Sequence, residues 1–250
     1  MFLSSSYTML ALYATLFTWL LTILGSSMVF FFKNISKTFM DISLSIAAGI
    51  MLAASFLSLL NPAFENARLL NKIPWLIVSI GFLLGSLFIY ISDKLIKVNK
   101  RTSLLMLSIT MHNIPEGLAI GIAFGSVKYG LKGASLTNAL ILSLAIGLQN
   151  FPEGSAVSLP LRRDGYSRLK SFIYGSLSAV VEPIFGIIGA ILTIKISSLM
   201  PLFLSFAAGS MIYVIVKELI PESQTNKNKS LITIFFIIGF LIMMILDTLM

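Results

Sequence analysis

The chain is 250 residues long, 57% of them hydrophobic and 11% charged, with a mean hydropathy of +0.95 and a formal net charge of +8. A soluble domain carries about a quarter charged residues, so these values exclude one and leave a polytopic membrane protein. The eighteen basic residues stand at the ends of apolar stretches and form no patch or stripe, which excludes nucleic acid as a partner, and without cysteine any metal must be held by nitrogen and oxygen.

A membrane-crossing helix needs about 20 mostly apolar residues. Eight stretches qualify, near 7–32, 39–60, 74–96, 104–127, 135–159, 171–195, 200–220 and 231–249, and they consume nearly the whole chain. The predicted fold is all-α, a single transmembrane domain over residues 1–250. The first stretch lacks a basic leader and runs longer than a signal-peptide core, so it reads as a retained span. Thirteen of the Lys and Arg fall in odd-numbered connections and five in even-numbered ones. The positive-inside rule then places the odd connections in the cytoplasm and both termini outside.

Spans one and two read as scaffold. Tyr13 and Trp19 suit an interface or lipid, while Gly25, Ser26 and Ser27, like the small residues between Ser45 and Ser55, suit close helix contact. Span two ends in Asn61-Pro62-Ala63-Phe64-Glu65-Asn66, read as a capped helix end in water in preference to an outer vestibule. Span three starts at Pro74, a favoured first helical residue, and ends at Asp93-Lys94; the connection after it is basic and has no histidine with which to store metal.

Span four carries His112-Asn113-Ile114-Pro115-Glu116-Gly117, and His112 is the one histidine of the chain. Residues four apart share a helix face, so His112 and Glu116 point the same way with Asn113 beside them. Pro115 has no N–H to give, which frees the carbonyl of Met111 as a further hard oxygen. Gly117, Gly121 and Gly125 then form a smooth stripe on which a helix can pack or slide.

Span five repeats the hexad as Gln149-Asn150-Phe151-Pro152-Glu153-Gly154. At 1.5 Å per residue, His112 lies about 22 Å and Gln149 about 21 Å from one membrane face, so the two motifs meet at similar depth in antiparallel helices. Inverted repeats with broken helices at the midplane characterise secondary transporters. Arg162 and Arg163 close span five as a topology anchor in preference to a grip on lipid phosphate. Span six brings Glu182-Pro183, with Glu182 about 16 Å deep. Lys217 and Glu218 end span seven and read as water-facing, and span eight is apolar as far as Asp247.

Glu116, Glu153 and Glu182 thus lie deep within spans, where a lone charge costs several kcal/mol and persists only beside a partner or water. No Lys or Arg lies at that depth, so the missing positive charge is a proton or a bound cation. His112, Glu116, Gln149 and Glu153 fit one divalent ion, and Asn113, Asn150 and Glu182 with the same two glutamates bridging fit a second. Imidazole with carboxylate suits zinc, iron(II), manganese or cobalt.

At these residues the chain resembles the ZIP family of divalent-metal transporters, in particular its GufA-like branch. The resemblance rests on both hexads, on Ser158-Leu159-Pro160-Leu161-Arg162-Arg163, on Glu182-Pro183 and on Glu218-Leu219-Ile220-Pro221-Glu222. It implies an eight-helix inverted-repeat bundle with a central binuclear site built from His112, Asn113, Glu116, Gln149, Asn150, Glu153 and Glu182. It also implies uptake of zinc, or of iron, manganese, cobalt or cadmium, into the cytoplasm, with lipid and a second copy of the chain as partners in the plasma membrane. Some members have aspartate where Asn150 stands, which implies a weaker second site, and Lys217 stands where an acidic residue is more usual. Two other classes compete with transport: an intramembrane metal-dependent hydrolase or protease, which would want His-Glu-x-x-His, and a metal-binding receptor that moves nothing. Metal flux separates both from a transporter.

Overall fold

The computed structural model describes residues 2–31, 36–95, 101–130, 134–224 and 228–249. Lys33, Lys97, Lys100, Lys132 and Lys227, which entered the charge count, lie outside the described residues. The helices are α1 (Phe2–Phe31), α2 (Lys37–Ala54), α3 (Asn61–Leu69), α4 (Pro74–Leu95), α5 (Arg101–Lys128), α6 (Leu136–Arg163), α7 (Arg168–Leu177), α8 (Val181–Ile196), α9 (Met200–Val214), α10 (Ile220–Ser223) and α11 (Lys229–Leu249). Among the described residues there is no strand, as the composition requires. Six continuous stretches are long and apolar enough to cross a membrane: Tyr7–Phe31, Lys37–Leu69, Pro74–Lys94, Arg168–Lys195, Met200–Ser223 and Lys229–Thr248. The other two long helices, α5 and α6, have 28 residues each and are less apolar because they carry the hexads.

Local chemistry sets the helix ends. Ser36, Ser135 and Ser167 each accept a hydrogen bond from the backbone N–H three residues on, at 3.1, 3.0 and 3.2 Å, which satisfies one of the orphan donors of a helix start. Prolines act in two ways. Before Pro62 and Pro221 the helix widens into a π turn, Ser55–Leu60 and Ile215–Leu219, and the residue preceding each proline donates to a carbonyl five residues back, Asn61 to Phe56 and Ile220 to Ile215. The wider turn makes room for the proline ring. Around Pro183 the chain instead breaks. Pro183 cannot reach the carbonyl of Ala179, so the N–H of Glu182 takes it at 3.0 Å and residues 178–180 form a turn between α7 and α8. Pro115 and Pro152 lie within unbroken helices. The break therefore falls immediately ahead of Glu182, within the stretch 171–195 and beside its helix-breaking proline.

Four helix pairs run in close contact: α5 with α8, α1 with α6, α4 with α9 and α2 with α11. Glycine permits the approach. A methyl group on Gly49 would strike the carbonyl of Phe236 and one on Gly239 that of Ile46; likewise Gly85 meets Phe206 and Gly209 meets Phe82. Small residues of this kind let helix backbones touch in a membrane, where apolar burial supplies no drive. The pairs fall into two groups, α1, α5, α6, α7 and α8 in one and α2, α3, α4, α9, α10 and α11 in the other, which meet chiefly where α5 lies on α9 and α2 on α6.

The glycine contacts expose a second internal repeat. Ser45-Ile46-Ala47-Ala48-Gly49-Ile50-Met51 in α2 matches Ser205-Phe206-Ala207-Ala208-Gly209-Ser210-Met211 in α9. Each run precedes a π turn and then a proline. Their partners α11 and α4 meet them through equivalent phenylalanine and glycine positions, so the α2 and α11 pair reproduces the α9 and α4 pair. Apolar side chains on α1 (Tyr13, Leu16, Leu20, Leu24), α4 and α11 remain exposed.

Candidate metal site

The hexads bring Asn113 and Glu116 from α5 together with Gln149, Asn150 and Glu153 from α6, and Glu182 joins them from the start of α8. All six are at most 1% exposed. The side chain of His112 lies outside the described residues. Gly117 is what admits Glu182: a methyl group there would lie 2.8 Å from the Cα of Glu182. The stripe of Gly117, Gly121 and Gly125 is thus a packing seam against α8, where it meets Glu182, Gly186 and Thr193.

The hydrogen bonds are arranged by neutral donors. Gln149 donates from Nε2 to Oε1 of Glu116. Asn150 donates from Nδ2 to Oε1 of Glu182 at 2.8 Å and to the carbonyl of Thr18 at 3.3 Å. Asn113 donates to the carbonyl of Ser178 at 3.0 Å, at the break between α7 and α8. The two asparagines are therefore anchored alike, each amide nitrogen on a backbone carbonyl of a neighbouring helix, and each leaves its oxygen free. Four buried oxygens of this site have no hydrogen-bond donor among the described residues: Asn113 Oδ1, Glu116 Oε2, Gln149 Oε1 and Asn150 Oδ1.

An orphaned buried acceptor is costly, about 1–3 kcal/mol, and four in one apolar region call for a positive partner. Glu116, Glu153 and Glu182 lie within electrostatic range of one another. Among the described residues no three His, Cys, Asp or Glu close on one point; half of the described donor set is amide. Carboxylate and amide oxygens together make a hard, oxygen-rich set, and a divalent cation would satisfy both the orphaned acceptors and the buried charge.

Four features escaped the sequence reading. Thr18 of α1, on a span read as scaffold, donates its hydroxyl to Oε2 of Glu182. Trp19 is no interfacial anchor alone, since its indole N–H donates to the carbonyl of Ser176 at 2.7 Å. Lys217 is not simply water-facing: it pairs with Asp93 of α4, lies 3.8 Å from Glu218 and sits over the ring of Tyr213. Arg163 likewise spends its charge within the protein, on Glu222 and on Asp164. The capped-end reading of residues 61–66 is corrected: these residues are helical and α3 carries the helix on to Leu69, with Glu65 exposed and Asn66 bonded back to the carbonyl of Pro62 at 2.8 Å.

Lys217 and Asp93 are each partly exposed, and such pairs contribute about 0–1 kcal/mol. Lys217→Gln is accordingly expected to shift the melting temperature of the purified protein by less than a few degrees. A larger drop would mean that the pair contributes more than a partly exposed ion pair does.

Comparison with known proteins bears on the same residues. The ZIP zinc transporter family model matches residues 94–247, a segment that includes both hexads and Glu182. The chain is 35% identical to the zinc transporter ZIP11 of Xenopus tropicalis over 95% of this chain and 96% of that protein. It is 33% identical to the zinc transporter ZupT of Streptococcus mutans over 96% and 97%, and 36% identical to the zinc transporter GufA of Myxococcus xanthus over 58% and 54%. With paired hexads and a third carboxylate buried in an apolar bundle, and with likeness along almost its whole length, this chain belongs to the ZIP zinc transporter family, whose members are membrane transporters and not enzymes.

Proposed function

We propose that the protein carries zinc, or a related divalent ion such as iron, manganese, cobalt or cadmium, across the plasma membrane into the cytoplasm. The cargo is held in a binuclear site: His112, Glu116, Gln149 and Glu153 at one ion, Asn113, Asn150 and Glu182 at the other, with Glu116 and Glu153 bridging. The single observation that carries this reading is the set of four buried oxygens without donors on the two hexads. Neutral amides and a hydroxyl hold Glu116 and Glu182, so a doubly charged ion entering there meets uncompensated carboxylate. Two such ions against three carboxylates leave about one positive charge, low enough for the apolar interior and loose enough for release.

The same proposal takes eight spans: α1, α2 with α3, α4, α5, α6, α7 with α8, α9 with α10, and α11. An alternating path is supported by contacts at the span ends. Lys217 with Asp93, and Arg163 with Glu222, join ends assigned to the cytoplasmic side, while Lys72 donates to the carbonyl of Ser198 between ends assigned outside. The charge count then puts both termini outside. The α5 and α6 hexads and the matching α2 and α9 runs become inverted repeats, as is common in secondary transporters. Assembly as a homodimer belongs to the proposal on the family resemblance alone.

The test is zinc uptake into sealed proteoliposomes with an inward zinc gradient. Saturable accumulation above empty vesicles is expected. Zinc binding without movement, also with the other divalent ions and with an imposed pH gradient, would return the protein to the receptor reading.

A further inference from the structure

We propose that Thr18 of α1 is a positioning residue for the transported metal, holding Glu182 and Asn150 in the geometry that receives it. The inference rests on the reading that these two residues hold cargo. Thr18 is fully buried. Its hydroxyl donates to Oε2 of Glu182, and its backbone carbonyl accepts Nδ2 of Asn150 at 3.3 Å, while the same nitrogen reaches Oε1 of Glu182 at 2.8 Å. One residue thus closes a ring with two candidate ligands, one on α6 and one on α8.

The hydroxyl has one proton and two acceptors in reach, since the carbonyl of Thr15 lies 3.0 Å away. The carboxylate is the stronger acceptor, because hydrogen bonds to ionised groups are roughly twice as strong as neutral ones. Both oxygens of Glu182 are therefore directed by neutral donors, and each keeps a further lone pair for an ion. The register of α1 on α8 is itself fixed one turn away, where Thr15 fills the space that a side chain on Gly186 would need.

The repeat explains why the task falls to α1. Asn113 is anchored on the carbonyl of Ser178 as Asn150 is on that of Thr18, and Gly117 faces the backbone of Glu182 as Gly154 faces that of Thr22. The position equivalent to Glu182 is thus Thr22, so at that place α1 supplies no carboxylate. What it supplies is the hydroxyl that orients the carboxylate opposite. Partners of this kind, which hold a ligand without touching the metal, are commonly worth about 10–100-fold in metal affinity or activity.

The experiment compares wild type, Thr18→Val, Thr18→Ala and Thr18→Ser in zinc uptake by proteoliposomes and in calorimetric zinc binding, each variant checked by thermal melting. Val keeps the shape and loses the donor, Ala loses both, and Ser keeps the donor. Val and Ala are expected to raise the KM for zinc and weaken binding by about tenfold, with Ser within twofold of wild type. In a Glu182→Gln background the Thr18→Val change is expected to add nothing. A Val variant equal to wild type, a Ser variant as impaired as Val, or full additivity with Glu182→Gln would each overturn the assignment in favour of packing. Wild type that neither binds nor moves zinc would remove the functional reading itself and the assignment with it.

Discussion

Glu116→Ala is expected to abolish zinc uptake, a loss beyond the roughly 10–100-fold that follows removal of a residue which only supports a ligand. Glu116 is fully buried, one of its oxygens is taken by Gln149 and the other has no donor among the described residues. In the proposed arrangement it bridges both ions, so its removal empties two positions at once. Stability should change little by comparison. The variant leaves the amide of Gln149 without its acceptor, which costs about 1–3 kcal/mol, but it also removes a carboxylate from an apolar interior, which offsets part of that cost. Uptake at background with a melting temperature near that of wild type is the outcome that fits; retained uptake would take Glu116 out of the metal's path.

The second large effect is expected at Gly117. A side chain there meets the backbone of Glu182, with Cα at 2.8 Å and the carbonyl carbon at 3.1 Å, and backbone has no rotamer by which to move aside. Gly117→Ala must therefore push α8 away from α5, and it carries Glu182 off with it. Overpacking of this kind costs about 1–3 kcal/mol, and the displacement of a candidate ligand adds a loss of uptake that the stability change alone does not explain. Gly147 provides the contrast. A methyl group there also comes within 2.9 Å of its neighbours, but these are the ends of the Leu21 and Phe17 side chains, which can rotate. Gly147→Ala is expected to retain most uptake and most of its melting temperature, and the two variants assayed side by side check the argument. Equal behaviour would mean that the seam between α5 and α8 does not set the site.

What the sequence revealed and what it hid divide along a physical line. The two hexads and Glu182 were legible because buried carboxylates beside prolines break the apolar pattern locally, and a copied motif stands out against chance. The all-helical class followed from composition in the same way. The role of Thr18 was not legible, since a threonine in an apolar span is unremarkable until the helix that carries it is laid against α6 and α8. Its bond to Glu182 joins residues far apart in the chain, and only tertiary packing decides it. The pairing of Lys217 with Asp93 was hidden for the same reason, although both residues had been noted singly at span ends.

The break ahead of Glu182 had a local signal. Pro183 leaves the carbonyl of Ala179 without its helical donor, and the chain turned there, whereas Pro115 and Pro152 left α5 and α6 continuous. Proline alone therefore does not decide between a kink and a break; the neighbours that re-satisfy the freed groups do. The repeat of Ser45 to Met51 in Ser205 to Met211 was also present to be read. Its residues are small and apolar, which makes the match easy to pass over, and its meaning emerged only from the glycine contacts that pair α2 with α11 and α9 with α4.

The most direct test of the central claim, that the paired hexads hold the cargo, is the number of zinc ions bound per chain by purified protein, measured by calorimetry together with elemental analysis. The account predicts two for wild type and no tight site for Glu116→Ala, because both ions share that carboxylate. Glu116→Ala binding zinc with wild-type stoichiometry and affinity would contradict it.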